Sequence, residues 1–480
     1  MNKITDFFKD SNQRFNLLML VAFALLSFFV VMHHEIWRDE AYVWVLCRDC
    51  GFWELWKNVA IEGHPPLWYL LVLPLAKSGL AVFSMQVLAW IFAVLGAGFF
   101  VFKAPFSKFL KFSFLFSSGM FFWHAVVARS YSLFPLFIFI LAFLHPKKRL
   151  HPYMYGFVLV LAANTHVILF AFCCALLAVF LWDEIIKYNV PLRQKIPQLT
   201  TFCAVAADFL FIGSSILWGK IQNVRITDYI RPDFWEVFEK LASGINGMSF
   251  FSYILVVFLG WFACVLYKHN KKLLFIFSAS FVYQFLIYKY IWGILPQRAF
   301  SFLLVVLFCL WVLFEKRVKV FNYLQIVLGF IFLSSFLIGT KYVTQDLLFD
   351  FSGSKSTARY IKQNLQENAL IVTDDSETKA GIFAYVPGLR LWSLSGGNFY
   401  TIEDWKQNLK ERRTLELPEK FLNGDTYFIT TRIGVPAFPH NVKCLPLYVN
   451  SGKVIHENED FVICRLVKND KIKTEKTDGR

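Results

Sequence analysis

Along its first 340 residues the chain alternates long apolar runs with short polar breaks. A helix needs about 20 apolar residues to cross a bilayer. Stretches of that kind occupy residues 15–32, 82–102, 112–127, 131–144, 153–168, 168–182, 198–218, 249–267, 273–292, 298–314 and 320–340, which predicts about eleven transmembrane helices. The block from 153 to 182 is divided at Asn164-Thr165-His166. An unbroken helix of thirty residues would be about 45 Å long, against a hydrocarbon core of about 30 Å. The first run, Phe15 to Met32, is long for the core of a secretory signal. It is followed by His33-His34-Glu35 and not by a small-residue cleavage site, so it is expected to be retained as the first span.

Beyond Lys341 the pattern changes. Thr357–Gln366 reads as a helix, Ala369–Thr373 as a buried strand, Thr401–Glu411 as a second helix, and Gly424–Thr430 and Phe461–Val467 as further strands. Alternating helix and strand predict a small α/β domain over 341–467. The charged segment 468–480 is expected to be disordered. Asp374-Asp375, just after the first of these strands, read as a turn of solvated acids. No repeat of solenoid period is visible.

Composition supports the same class. Of 480 residues, 57% are hydrophobic and 17% charged, whereas soluble domains carry about 25% charged residues. The net charge is +15, and it is unevenly placed. Residues 1–340 hold 29 basic against 16 acidic groups, and residues from Lys341 onward hold 20 against 18. The excess lies beside the apolar runs, which argues against nucleic-acid binding and for a topology signal. With the amino terminus, the connections at Lys103/Lys108/Lys111, Lys147/Lys148/Arg149, Lys187/Arg193/Lys195, Lys268/Lys271/Lys272 and Lys316/Arg317/Lys319 hold 18 basic residues. The alternate connections hold 11 over longer segments. The positive-inside rule makes the dense set cytoplasmic, placing the N-terminus inside and the 341–467 domain outside.

The other face then collects the ionisable groups. Trp37-Arg38-Asp39-Glu40-Ala41-Tyr42 follows the first span, and Glu62-Gly63-His64-Pro65-Pro66-Leu67-Trp68-Tyr69 follows in the same loop, 34–81. Ala128-Arg129-Ser130-Tyr131, His166 and Pro296-Gln297-Arg298 lie at span ends of the same sidedness. Singly, each has an ordinary structural reading: interfacial aromatics, a proline turn opening a helix, snorkelling arginines. Together, carboxylates, histidines and arginines at a hydrocarbon boundary are costly unless they have partners or a function.

This combination of motifs resembles the GT-C membrane glycosyltransferases, in the bacterial branch related to protein O-mannosyltransferases and the lipid A aminoarabinose transferase. The likeness is clearest over residues 15–175. It implies a polyprenyl-phosphate-linked sugar as donor and an acceptor hydroxyl on a lipid, polysaccharide or protein, with transfer on the outer face of a bacterial inner membrane. It further implies that the acid at Asp39, with Glu40 beside it, removes the acceptor proton and that the anomeric carbon is inverted. A breaking glycosyl-phosphate bond builds charge on the phosphate, which preorganised cations stabilise. Arg129 and Arg298 suit that task, guanidinium being bidentate toward phosphate, with His64, Tyr131 and His166 as further substrate-binding groups. No cofactor is required beyond the lipid-linked donor.

A divalent metal is left open. His33, His34, Asp39, Glu40 and His64 are within possible reach of one another, and Cys47-Arg48-Asp49-Cys50 has ligand-like spacing, but no second cysteine pair of that spacing completes a zinc site. Of nine cysteines, Cys47, Cys50, Cys444 and Cys464 fall outside the spans, an even number that permits disulfides Cys47–Cys50 and Cys444–Cys464 in an oxidising compartment. Two other classes fit the hydropathy: a flippase or transporter of a lipid-linked sugar, and an O-antigen ligase or polymerase. A transporter would place its polar groups near mid-bilayer, where the chain offers chiefly Asp208.

Overall fold

A computed structural model describes residues 10–222, 232–291, 293–316, 318–366, 369–373, 379–394, 398–399, 426–432, 442–450 and 452–468. Two compact units emerge. One comprises Met1–Met32, Phe52–Leu71 and Met85–Val343; the other comprises His33–Gly51, Val72–Ser84 and Thr344–Arg480.

The first unit is helical. Among the described residues, nine helical stretches are long and apolar enough to cross a membrane: Ser11–His33, Phe83–Lys103, Ser130–Lys147, Val167–Ile186, Leu192–Gly219, Phe251–His269, Lys271–Tyr290, Pro296–Phe314 and Phe321–Leu348. Pro296–Phe314 is its central helix, with Phe300, Leu303, Leu304, Leu307 and Phe308 wholly enclosed. Leu18, Leu25, Leu210, Phe211, Val257 and Phe330 are exposed on peripheral helices, as hydrocarbon-facing side chains should be.

Two expected spans are corrected. The 112–127 stretch is broken: helix Lys108–Leu115 stops, and a π-helical turn, Gly119–His124, follows. The cause is local, because Ser117 turns its hydroxyl back to the Phe114 carbonyl (2.6 Å) and accepts from Met120 N (3.3 Å), competing with the helical ladder. A Cβ on Gly119 would run into the Phe300 ring, so only glycine admits this approach. The 153–168 stretch forms a helix only over Pro152–Ala163, about 18 Å long. It ends where Asn164 and Thr165 bond back to Val160 and Ala162. The division at 164–166 is observed, and the last span runs past residue 340 to Leu348.

The second unit contains helix Arg38–Asp49 and an α/β fold. Its strands are β1 (Leu370–Thr373), β2 (Leu391–Ser393), β3 (Asn398–Phe399), β4 (Thr426–Thr431), β5 (Val442–Val449) and β6 (Phe461–Lys468), in the order β3-β2-β1-β4-β6-β5. β1 is parallel to β2 and β4, with Ile371 opposite Leu391 and Val372 opposite Phe428; β6 is antiparallel to β4 and β5. Val372, Phe428, Val442 and Leu466 form one apolar cluster.

The expected helix appears as Ser354–Asn364 and the expected strands as β1, β4 and β6. Helix Ala380–Tyr385 and strands β2, β3 and β5 are additional. β5 carries Pro446, which an edge strand tolerates because its outer N–H row needs no partner. The expected helix 401–411, Asp374-Asp375 and the tail beyond residue 468 lie outside the described residues.

Cys444 and Cys464 are joined across β5 and β6, with Cα atoms 5.3 Å apart. The other permitted pair, Cys47 and Cys50, is not joined. Both are buried, and burial pushes the Cys47 thiol well above its ordinary range. A protonated, enclosed thiol is a poor nucleophile for disulfide exchange.

Candidate active site

The sequence-predicted groups form two clusters, one in each unit. In the second unit, Asp39 and Glu40 occupy the first turn of helix Arg38–Asp49, where the helix dipole favours carboxylates. Their environments differ sharply. Glu40 is fully buried: its Oε2 accepts from the Trp37 backbone N–H (3.2 Å) and lies 3.2 Å from His34 Nε2. Asp39 keeps 24% of its side chain exposed, and its Oδ1 accepts from Arg38 Nε at 3.3 Å.

His34 bridges two carboxylates, with Nδ1 2.9 Å from Asp346 Oδ2 and Nε2 on Glu40. Burial alone would lower its pKa. The Asp346 and Glu40 charges and hydrogen bonds on its two nitrogens outweigh burial and push it up to about 10. A carboxylate on each ring nitrogen favours the imidazolium form of His34. Among the described residues, no group of three or more His, Cys, Asp or Glu converges to hold a metal ion.

Around this triad the unit adds further titratable groups. Glu459 Oε1 and Oε2 accept from the Arg38 backbone N–H at 3.0 and 3.1 Å, and burial pushes the acid up to about 7. Glu35 is raised to about 7 by burial and by Asp350, with Lys355 acting the other way. His456 stacks on Trp37 with ring centroids 4.4 Å apart, and its pKa falls to about 4, chiefly through burial. Asp346 and Glu459 were not singled out from the sequence. Asp346 does carry a signal, as an acid just past the last predicted span, whereas Glu459 lies among acids that read as an ordinary solvated turn.

In the first unit, His64, Tyr131, His166 and Arg298 come together, with Arg129 in electrostatic reach. The Tyr131 hydroxyl lies 3.2 Å from His166 Nε2 and accepts from Arg298 Nε at 3.2 Å. The His64 and His166 rings are 5.1 Å apart, and Arg129 and Arg298 both act electrostatically on His166.

Short backbone devices set these positions. Gly63 turns the chain with φ of 76° after helix Phe52–Glu62, and Leu67 N donates to Asn164 O (3.1 Å), holding the His-Pro-Pro segment to the Asn164-Thr165-His166 tip. Arg129 precedes the 3-10 turn Ser130–Leu133, where the Ser132 hydroxyl donates to the Arg129 carbonyl at 2.9 Å. Arg298 lies in the first turn of helix Pro296–Phe314, its carbonyl taken by Tyr288 Oη (2.8 Å) and Ser301 Oγ (2.6 Å). Tyr131 and His166 are enclosed, whereas His64, Arg129 and Arg298 are half-buried.

His124 was not anticipated from the sequence. Its Nδ1 pairs with Tyr131 O at 2.7 Å, and its buried Nε2 has no hydrogen-bond partner among the described residues. Asp208 accepts from Asn164 Nδ2 at 2.9 Å, so it meets the tip that closes helix Pro152–Ala163.

No protein-family model matches the chain, and no curated protein matches it. Solved structures do. ArnT from Cupriavidus metallidurans in the apo state superposes with a TM-score of 0.54 at 11% identity, covering 93% of this chain and 97% of that one. The structure of the same protein bound to undecaprenyl phosphate gives 0.53 at 11% identity over the same shares. At this identity the likeness is one of fold, and it spans both the helical part and the terminal sheet. The chain is accordingly an integral membrane protein with an ArnT-like GT-C fold.

Proposed function

We propose that this protein is a glycosyltransferase that moves a sugar from a polyprenyl-phosphate donor to an acceptor hydroxyl at the outer face of a bacterial inner membrane. The observation that carries this reading is the fold shared with ArnT across 93% of the chain, one ArnT structure holding undecaprenyl phosphate. The contrast between Asp39 and Glu40 supports it further. Glu40 is committed to His34 and the Trp37 N–H, which leaves Asp39, partly exposed beside Arg38, as the carboxylate suited to meet a substrate.

In the proposed reaction Asp39 accepts the acceptor's hydroxyl proton as that oxygen bonds to the anomeric carbon. The bond from that carbon to the phosphate oxygen breaks, and polyprenyl phosphate leaves with the bonding pair. One-step displacement inverts the anomeric centre. Arg298, at the positive end of helix Pro296–Phe314, and Arg129 receive the leaving phosphate, since guanidinium groups and helix N-termini both favour such an anion. His64 lines the same cluster. The N-terminus is cytoplasmic in this reading and the 341–467 domain lies outside.

Purified protein in nanodiscs, supplied with a panel of polyprenyl-phosphate sugars and envelope extracts as acceptors, tests the proposal by mass spectrometry of the products. Asp39→Asn is expected to lower turnover by about 10²–10⁴-fold, the range for general-base catalysis. Near-normal turnover in this variant would remove the mechanism. A flippase would instead leave the donor chemically intact.

A further inference from the structure

We infer that His166 and Tyr131 form a hydrogen-bond relay, with His166 and Arg298 both donating to the Tyr131 hydroxyl, that fixes the Arg298 guanidinium and makes both of them positioning residues for an anion-binding arginine. The inference rests on the glycosyl-transfer reading only in naming that anion a polyprenyl phosphate. The relay itself follows from hydrogen-bond geometry.

His166 is the cap of the 3-10 turn Val167–Leu169, and its Nδ1 accepts the Ile168 backbone N–H at 3.2 Å. An amide N–H is only a donor, so Nδ1 must present its lone pair. A proton on that nitrogen would set two N–H groups against each other. The ring hydrogen of the neutral imidazole therefore sits on Nε2, which faces Tyr131 Oη at 3.2 Å and donates to it. Which nitrogen of a histidine is protonated is set by the hydrogen bond the other makes, and here the cap sets it.

Arg298 Nε, also only a donor, lies 3.2 Å from the same oxygen. A hydroxyl oxygen has two acceptor sites, and these two donors occupy both. Arg298 Nη1 is held in turn by the Gly293 carbonyl at 2.8 Å. Two sides of the guanidinium are thus anchored in the protein. Tyr131 and His166 are enclosed while Arg298 is half-buried, so the two act on a ligand through the arginine. Rotamer freedom removed in advance is a cost that the ligand does not meet on binding.

Two measurements test this. Nitrogen-15 NMR of histidine-labelled protein in nanodiscs, with His166 assigned by its loss in His166→Asn, is expected to show the neutral Nε2–H tautomer. The Nδ1–H tautomer, or an imidazolium at pH 7, would overturn the relay whether or not any sugar is transferred. The second is a double-mutant cycle on affinity for polyprenyl phosphate. Tyr131→Phe keeps the buried ring and removes only the hydroxyl, and is expected to weaken binding about 3- to 10-fold, the scale of one net hydrogen bond. In an Arg298→Gln background the same change is expected to have no further effect. An undiminished loss there would show Tyr131 acting independently of Arg298 and overturn the inference. If the intact protein bound no polyprenyl phosphate, the transferase reading would fail, and the tautomer would decide the relay.

Discussion

Asp39 and Glu40 are adjacent and chemically alike, yet the helix turn sends them to opposite fates. Glu40 neutralises a buried imidazolium and satisfies a backbone N–H at the start of helix Arg38–Asp49; Asp39 stays at the edge with Arg38. Removing one partner of a buried, hydrogen-bonded ion pair strands the other charge, so Glu40→Ala is expected to cost about 3–5 kcal/mol. Asp39→Asn, a near-isosteric change at a partly exposed position, is expected to stay within about 0.5 kcal/mol. Thermal unfolding in detergent reads both. Equal destabilisation by the two variants would contradict the division of labour. The sequence marked this pair, and the sign of the difference was not legible in it, because the histidine that Glu40 holds is also held by Asp346, 312 positions beyond His34.

Among the elements, the broken ones carry the candidate chemistry. The π-turn Gly119–His124 follows Ser117 and Ser118, and it exists because buried Ser117 captures local backbone groups, the Ser118 hydroxyl donates instead to the distant Ile245 carbonyl (3.2 Å), and Gly119 lets the Phe300 ring approach. π-turns inside helices recur at functional sites. Gly119→Ala is expected to destabilise by about 1–3 kcal/mol through overpacking and to disturb the His124–Tyr131 contact of 2.7 Å. A melting curve and the His124 ring resonance check this, and an unshifted resonance with an unchanged midpoint would show that the turn absorbs the methyl.

Hydropathy averages over such breaks. It therefore counted 112–127 as a span, while the Asn164-Thr165-His166 interruption, being three polar residues together, was readable. In the terminal domain the strands with alternating or continuous apolar residues were readable. β5, an edge strand with Pro446 and several exposed side chains, offers no such pattern.

For the molecule as a whole, charge buried in the second unit ties stability to pH. His34, raised to about 10 from about 6.5 unfolded, contributes stability that is fully present below pH 6.5 and lost as pH rises through 10. Glu35 and Glu459, raised to about 7 mainly by burial, add a loss as pH climbs from about 4.5 to 7. His456, lowered to about 4, acts oppositely on the acid side, its contribution disappearing as pH falls from 6.5 toward 4. The melting midpoint is expected to peak in mildly acidic buffer and fall toward pH 10, with a shallower alkaline decline in His34→Gln. A midpoint rising from pH 7 to 10 would show that His34 is not held as an imidazolium.

The chain by itself determined the membrane class, most of the spans, the terminal α/β domain and the short list of ionisable groups. These rest on local composition and periodicity, which need no partner to be read. Only tertiary structure decided which acid is buried and which is reachable, that Cys444 pairs with Cys464 while Cys47 and Cys50 are not joined, and that Tyr131, His166 and Arg298 share hydrogen bonds. The reason is physical. The state of a titratable or hydrogen-bonding group is fixed by what surrounds it within a few ångströms, and here those surroundings come from segments tens to hundreds of residues apart.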